Sequence, residues 1–155
     1  MLEGLAYLMD NPRKIPIVAS NHQIYGQIDI NVVPCDEAGD EELDEDILTD
    51  DPMDLLNQTL DFKVKIHQIS NLPEDFCRNI YCEYEFFMDK EKHTSQICMG
   101  KNQSPTLNFE KQHHIDCVTK YLIDYLLNDK LTIRIFGNQE LKKMKRQPPK
   151  PTQQA

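Results

Sequence analysis

The sequence predicts an all-β domain, a two-sheet sandwich with one short helix. Apolar side chains recur at every second position in several segments, which is the pattern of half-buried strands. Turn-forming residues separate these segments, and several short strands joined by turns are typical of a sandwich. A single stretch after Cys117 has helical spacing instead. The length of 155 residues suits one domain with flexible ends.

The first part of the chain predicts two strands. Residues 2–9 (LEGLAYLM) form a short helix or an apolar lead-in that stops before Pro12, because proline disfavours helix in the residue that precedes it. Strands are then predicted over 15–19 (IPIVA) and 24–33 (IYGQIDINVV). In the second strand, the residues predicted to share one face are Ile24, Gly26, Ile28, Ile30 and Val32.

The acidic residues are concentrated in one block. The formal net charge is -9, yet 11 acidic residues and no Lys or Arg lie between Asp36 and Asp54. Runs of like charge repel one another and usually stay solvated, so we expect a disordered acidic loop and linker over 36–57. Its end predicts a helical turn, since Asp51 is a good N-cap and Pro52 is tolerated at the first helical position.

From Leu60 the alternation predicts the strands of the sandwich itself. The inward residues of the first strand are predicted to be Leu60, Phe62, Val64 and Ile66. Those of the next strand, over 79–88, are Ile80, Cys82, Tyr84 and Phe86. Further strands are predicted over 94–98, 107–117 and 130–136, the last with Leu131, Ile133 and Ile135 inward.

One helix interrupts this series, in the crossover before the last strand. Its predicted apolar stripe consists of Val118, Tyr121, Leu122, Tyr125 and Leu126. After Gly137 the apolar pattern ends, and residues 140–155 are basic and then rich in Pro and Gln. Such a segment cannot bury enough surface to offset its ordering entropy, so we expect a disordered tail.

Cysteine usage and the start of the chain predict a cytoplasmic protein. Five cysteines form an odd set without a CxxC pair, and MLEGLAYLMDNPRK lacks the long uncharged core of a signal peptide. We therefore expect free thiols in a reducing compartment. No apolar run approaches the roughly 20 residues that a membrane-spanning helix requires, so we expect no span.

The sequence contains none of the common catalytic motifs. A GxxxxGK[ST] phosphate loop, GxSxG and HExxH are all missing, so we expect no enzyme, no cofactor and no nucleic-acid partner. A zinc site is the competing hypothesis for the set Cys77, Cys82, His113, His114 and Cys117. The spacings CxxxxC and HxxxC do not match zinc fingers, and buried structural cysteines are far more common. We therefore expect no metal.

Three segments carry a family resemblance. They are LAYLMDNPRKIPIVASNHQIYGQIDINVV, LDFKVKIHQISNLPEDFCRNIYCEYEFF and HHIDCVTKYLIDYLLNDKLTIRIFGNQ, and together they cover most of residues 5–139. In this order they resemble the C2-like tail segment of kinesin-3 motors. The resemblance implies a C2-like antiparallel β-sandwich over residues 58–139, with residues 1–35 packing on it. The acidic insertion at 36–54 departs from the family pattern.

The resemblance implies a non-catalytic interaction module that is associated with the cytoskeleton. Its partner would be a cargo adaptor, or the motor or coiled-coil region of a kinesin in an autoinhibitory contact. Calcium is not expected, because Glu74 and Asp75 offer too few of the about six to eight oxygens that calcium takes. The alternative function is a calcium-independent peripheral module that binds anionic lipid. The candidate partner-binding residues are Leu72, Glu74, Asp75, Lys142, Lys143, Lys145 and Arg146.

The two flanking segments supply further partner hypotheses. The basic tail would make weak contact with anionic membranes, or serve only to keep the chain in solution. Its Lys145-x-x-Pro148-x-x-Pro151 pattern fits an SH3 ligand. The acidic block would be a solvated loop, would dock onto a basic partner or would contact the tail, with apolar anchors at Leu43, Ile47 and Leu48.

Overall fold

The structure, a computed structural model, describes residues 13–42, 51–87 and 90–139 and confirms the all-β prediction. Within these residues, eight strands form two antiparallel sheets, with one α-helix between the last two strands. The elements are β1 (Arg13–Val18), β2 (Ile24–Pro34), β3 (Leu60–Ser70), β4 (Arg78–Tyr84), β5 (His93–Thr94), β6 (Cys98–Lys101), β7 (Thr106–Ile115), α1 (Lys120–Asn128) and β8 (Ile133–Asn138).

Sheet A has the strand order β1-β2-β3-β7. Ile28 of β2 is in register with Ile15 of β1 on one side and with Ile69 of β3 on the other. The first two strands are therefore members of the sheet and form one continuous hydrogen-bonded layer with β3. The predicted division between residues 1–35 and 58–139 falls inside this layer.

Sheet B is organised around β4, which pairs antiparallel with β5, β6 and β8. The helix α1 connects β7 of sheet A to β8 of sheet B, so it lies in a crossover as predicted. The side chain of Thr119 caps the helix by accepting a hydrogen bond from the Leu122 N–H at 3.3 Å. The predicted stripe is wrong at Tyr121, which is 80% exposed, while Ile123 on the other side of Leu122 is buried. Compared with the predicted orientation, the helix is rotated about its axis, so that Ile123 and not Tyr121 faces the core.

The core lies between the two sheets and follows the predicted alternation closely. Phe62, Val64 and Ile66 have no exposed surface, and Cys82 and Tyr84 from sheet B are almost as buried. These side chains form one cluster together with the side chains on the buried face of α1. Burial of this kind is the main favourable contribution to folding.

The inward prediction for β2 is wrong at its first residue. Ile24 is 66% exposed, because it pairs with Val18 next to the turn of the β1–β2 hairpin, beyond the reach of the core. The inward side chains of this strand begin at Ile28 instead. The helical turn predicted after Asp51 is confirmed as a 3-10 helix, Pro52–Leu55, and Asp51 accepts the capping hydrogen bond.

The five cysteines are all free thiols, as predicted. In the part of the chain described here, no helix has the length and apolar character needed to cross a membrane. The lead-in predicted over 2–9 and the tail predicted over 140–155 lie outside the described residues, as do Leu43, Ile47 and Leu48.

Candidate interaction surfaces

The predicted partner-binding residues do not form one surface. Leu72 is 5% exposed and belongs to the core, so its side chain is not available to a partner. Glu74 is exposed, with its Oε1 3.1 Å from the Nζ of Lys101, and Asp75 is half-buried beside it in a 3-10 helix. The basic candidates lie outside the described residues: Lys142, Lys143, Lys145 and Arg146.

The five residues of the zinc hypothesis are divided between different environments. Cys77, Cys82 and His113 are buried, whereas His114 and Cys117 are exposed and line an open groove of about 320 Å³ beside α1. Over the ranges that the structure describes, no three His, Cys, Asp or Glu residues are arranged to hold a metal ion.

The two adjacent histidines of β7 point to opposite sides of sheet A. His113 is buried, and its Nε2 lies 2.7 Å from the hydroxyl of Tyr84 across the core. His114 points outward, with Nδ1 2.6 Å from Asp61 and Nε2 2.8 Å from Asp116. The hydrogen bond to Asp61, and then the one to Asp116, raise the pKa of His114. His113 therefore packs within the core, and His114 makes hydrogen bonds on the outer side of the sheet.

The outer face of sheet B carries a group of apolar side chains that we call the apolar face: Tyr81, Ile97, Met99 and Phe136. Tyr81 and Phe136 are register partners on β4 and β8, and their rings stack with centroids 5.3 Å apart. Met99 is 80% exposed and Ile97 is 50% exposed. Large apolar side chains thus remain in contact with water on this side of the sandwich.

The local register explains why these residues face outward. Ile80 on β4 is the partner of Cys98 on β6, and both side chains face the core. Successive side chains in a strand alternate between faces, so Tyr81 and the two neighbours of Cys98 point away from it. Gly137 holds β8 close to β4 there, because a Cβ at this position would lie 2.4 Å from the Cδ1 of Ile80.

The outer face of sheet A is covered by the start of the acidic block, residues 36–42, which we call the acidic cap. The cap is a compact turn: the N–H of Asp40 donates to Asp36 Oδ1 at 2.8 Å, and that of Asp36 donates to the Asp40 carbonyl at 2.9 Å. Gly39 has φ +92, a backbone conformation that suits glycine. The predicted disordered loop is therefore wrong for these seven residues, whereas 43–50 lie outside the described residues.

The acidic cap contacts polar side chains of β3 and β7. The carboxylate of Glu41 lies 3.4 Å from the Nζ of Lys63 and also pairs with Lys65. Lys63 pairs in addition with Glu110 of β7 at 3.0 Å. The side-chain amide of Gln112 donates to the carbonyls of Asp36 at 3.2 Å and Glu37 at 3.1 Å.

The electrostatics of these contacts agree with their geometry. The hydrogen bond from Lys65, supported by Lys63, lowers the pKa of Glu41. The hydrogen bond to Glu110, and then the one to Glu41, raise the pKa of Lys63. The side chains of the two lysines are only 13% and 19% exposed, so both are largely removed from solvent in these pairs.

Two buried apolar residues, Val33 and Cys35, lie at the end of β2 next to the acidic cap. Val33 is the register partner of Lys63, and the N–H of Cys35 donates to the Asp61 carbonyl at 3.1 Å, which continues the ladder. They are 9% and 6% exposed, although neither belongs to the core cluster between the sheets. Burial raises the pKa of the Cys35 thiol to about 11. These two residues are thus buried outside the main core cluster.

Sequence reasoning missed both surfaces for different reasons. The alternation of β3 already places Lys63 and Lys65 outward, but nothing local indicates that Glu41, 22 residues before Lys63, is their partner. Tyr81 was on the outward face of a predicted strand, and its apolar character was the available signal. No protein-family model and no curated protein matches the chain.

Proposed function

We propose that the chain is a non-catalytic protein-interaction module of the kind found in kinesin-3 tails. The apolar face of sheet B binds the partner, which is a cargo adaptor or the motor or coiled-coil region of a kinesin. The observation that carries this proposal is the exposure of Met99 and Ile97, at 80% and 50%, beside the stacked rings of Tyr81 and Phe136.

The composition of the apolar face suits a protein partner. Aromatic side chains and methionine are enriched at protein interfaces, and a few such anchors supply most of the binding free energy. Methionine adapts its shape to irregular surfaces, while stacked rings present a rigid platform. Contiguous exposed apolar side chains on a folded domain mark interaction sites.

The sequence resemblance supports the same proposal from a different direction. Three segments that resemble the kinesin-3 tail occur in the family's order, and two of them contain apolar-face residues: Tyr81 in the second and Phe136 in the third. The confirmed all-β architecture is compatible with the C2-like sandwich that the resemblance implies. A tail module of this type would attach cargo or restrain the motor.

The charge distribution favours a protein over an anionic membrane. Lys63 and Lys65 on sheet A are already paired with carboxylates of this chain, so phosphate groups of lipids would compete with those pairs. Around the apolar face the charges have mixed sign, because Glu83 of β4 is the register partner of Arg134 of β8. Lipid headgroups attract uniformly basic surfaces more strongly.

The proposal is tested by placing charge on the apolar face. A double variant, Ile97→Lys and Met99→Lys, should bind a purified kinesin-3 motor and coiled-coil fragment at least about tenfold more weakly than the unchanged chain, since a buried unpaired charge costs well over 1.4 kcal/mol. Fluorescence anisotropy of the labelled chain measures the dissociation constant.

The helix α1 provides a matched control. Tyr121 and Leu127 are 80% and 52% exposed, almost the same as Met99 and Ile97, but lie on α1. The variant Tyr121→Lys with Leu127→Lys should bind like the unchanged chain. Equal weakening in both double variants, or none in either, would refute a role for the apolar face. Binding to phosphatidylserine vesicles that disappears at high salt, without binding to the kinesin fragment, would favour the lipid alternative.

A further inference from the structure

We propose that the outer face of sheet A is a docking site for an acidic peptide of a partner protein, and that the acidic cap occupies this site in the isolated chain. This proposal goes beyond the function proposed above and concerns the opposite sheet. It would survive the failure of the apolar-face experiment.

The contacts of the cap are those of a bound peptide. One carboxylate, from Glu41, is shared between the ammonium groups of Lys63 and Lys65. Two successive main-chain carbonyls, of Asp36 and Glu37, accept hydrogen bonds from the same side-chain amide of Gln112. Recognition of main-chain carbonyls suits a peptide rather than a free anion.

The surface beneath the cap is chemically specific. Lys63 and Lys65 supply two positive charges and Glu110 supplies one negative charge, so one further carboxylate neutralises the group. Val33 and Cys35 form an apolar floor beside these charges. A site of this kind selects a segment that presents a carboxylate next to small or apolar residues.

The occupant in the structure is attached by contacts that another peptide can replace. Glu41 is the carboxylate of the cap that pairs with the lysines, and its side chain remains 35% exposed. Asp36 and Asp40 use their carboxylates to accept N–H groups within the turn. Glu42 is exposed, and its backbone N–H donates a hydrogen bond to the carboxylate of Asp40. Release of the Glu41 contacts would free Lys65 and leave Lys63 paired with Glu110, without disturbing the core.

The experiment uses the acidic sequence itself as the probe. A fluorescent peptide with the sequence DEAGDEELDED, residues 36–46, is titrated with the full chain, and anisotropy measures its dissociation constant. The substitution Glu41→Gln removes the charge that holds the internal cap, so the peptide should bind about tenfold more tightly than it binds the unchanged chain. Adding Lys63→Gln and Lys65→Gln to this variant should abolish the gain.

The neighbouring residue is the matched control. The substitution Glu42→Gln removes the same charge one position along the cap and should leave peptide affinity unchanged. Equal effects of the two substitutions, or a gain that survives the loss of both lysines, would overturn the proposal. A second arm replaces the peptide with phosphatidylserine vesicles. If Glu41→Gln recruits vesicles but not the peptide, the site is one for lipid phosphate and the acidic-peptide proposal is wrong. Urea unfolding of each variant confirms that it is folded.

Discussion

The outer faces of the two sheets differ in what covers them. Sheet A has an alternating strand whose outward lysines, Lys63 and Lys65, are covered by the chain's own acidic cap. Sheet B has outward aromatic and aliphatic side chains that stay exposed, with Met99 as the extreme case. A sandwich needs apolar residues only between its sheets, so the apolar outer face departs from what folding requires. The difference is the reason for proposing a separate contact on each face.

The strongest way to break this comparison is to remove part of sheet A. A chain that begins at residue 58 lacks β1 and β2, which leaves β3 as an edge strand and uncovers Val64, Ile66 and Ile69. We expect the loss of a cooperative unfolding transition, measured by urea titration with circular dichroism, because the remaining strands cannot bury the core. A chain that begins at Arg13 keeps every described strand and should unfold cooperatively. A sharp transition in the shorter chain would show that sheet B and β3 fold without the first two strands.

A second prediction concerns the support of the apolar face. In Gly137→Ala, the added Cβ would lie 2.4 Å from Ile80 Cδ1 and 3.1 Å from the Arg78 carbonyl oxygen, so either the buried Ile80 side chain or β8 has to shift. We expect a loss of about 1–3 kcal/mol in the free energy of unfolding, as for other overpacked sites. The comparison substitution is Gly100→Ala, where nothing lies within 4 Å of the new Cβ and only the positive φ opposes it. If Gly137→Ala is no more destabilising than Gly100→Ala, close packing at Gly137 is not required.

A third prediction tests the acidic cap in the same way. In Gly39→Ala, the new Cβ would lie 3.0 Å from the Oε1 of Gln112, a flexible side chain, and the residue would keep φ at +92. We expect a loss of about 1 kcal/mol, which is the usual cost of the left-handed conformation for alanine. Urea unfolding measures it. A loss larger than that of Gly137→Ala would mean that the cap contributes more to folding than the edge of sheet B does.

The smallest effect is expected from His114, whose partners Asp61 and Asp116 are at the surface of sheet A. Its pKa is raised in the folded state, so its pairs stabilise the fold fully below the ordinary histidine value of about 6.5 and lose this contribution as pH rises through the folded pKa. In His114→Asn the urea midpoint of unfolding should therefore be lower than that of the unchanged chain at acidic pH. The two midpoints should converge above the folded pKa of His114. A difference that stays constant across this pH range would contradict a role for the charged imidazole.

The sequence predicts the architecture well because the alternation of β3 and β4 is regular. Phe62, Val64 and Cys82 have the inward positions expected from period two, and all are fully buried. The errors occur where the arrangement of the elements, and not the local pattern, decides which side chains reach the core. Ile24 fits the alternation of its strand but lies beyond the core. Tyr121 fits the helical spacing but lies on the side of α1 that faces solvent.

The candidate surfaces were less predictable for the same physical reason. The acidic cap looks like a solvated loop because its charges repel one another, and its order depends on lysines and an amide from other strands. Leu72 was expected to contact a partner, yet its N–H bonds to the Gln103 carbonyl at 2.9 Å and its side chain fills the core. Such contacts join residues far apart in sequence, and a local pattern does not contain them.

The burial of Cys35 beneath the acidic cap provides an internal reporter. A thiol with a pKa of about 11 and 6% exposure reacts with alkylating reagents only when its cover lifts. Cys117 is exposed and supplies a reference rate from the same molecule. The ratio of the two alkylation rates, followed by mass spectrometry, therefore reports how often this side of the sandwich opens.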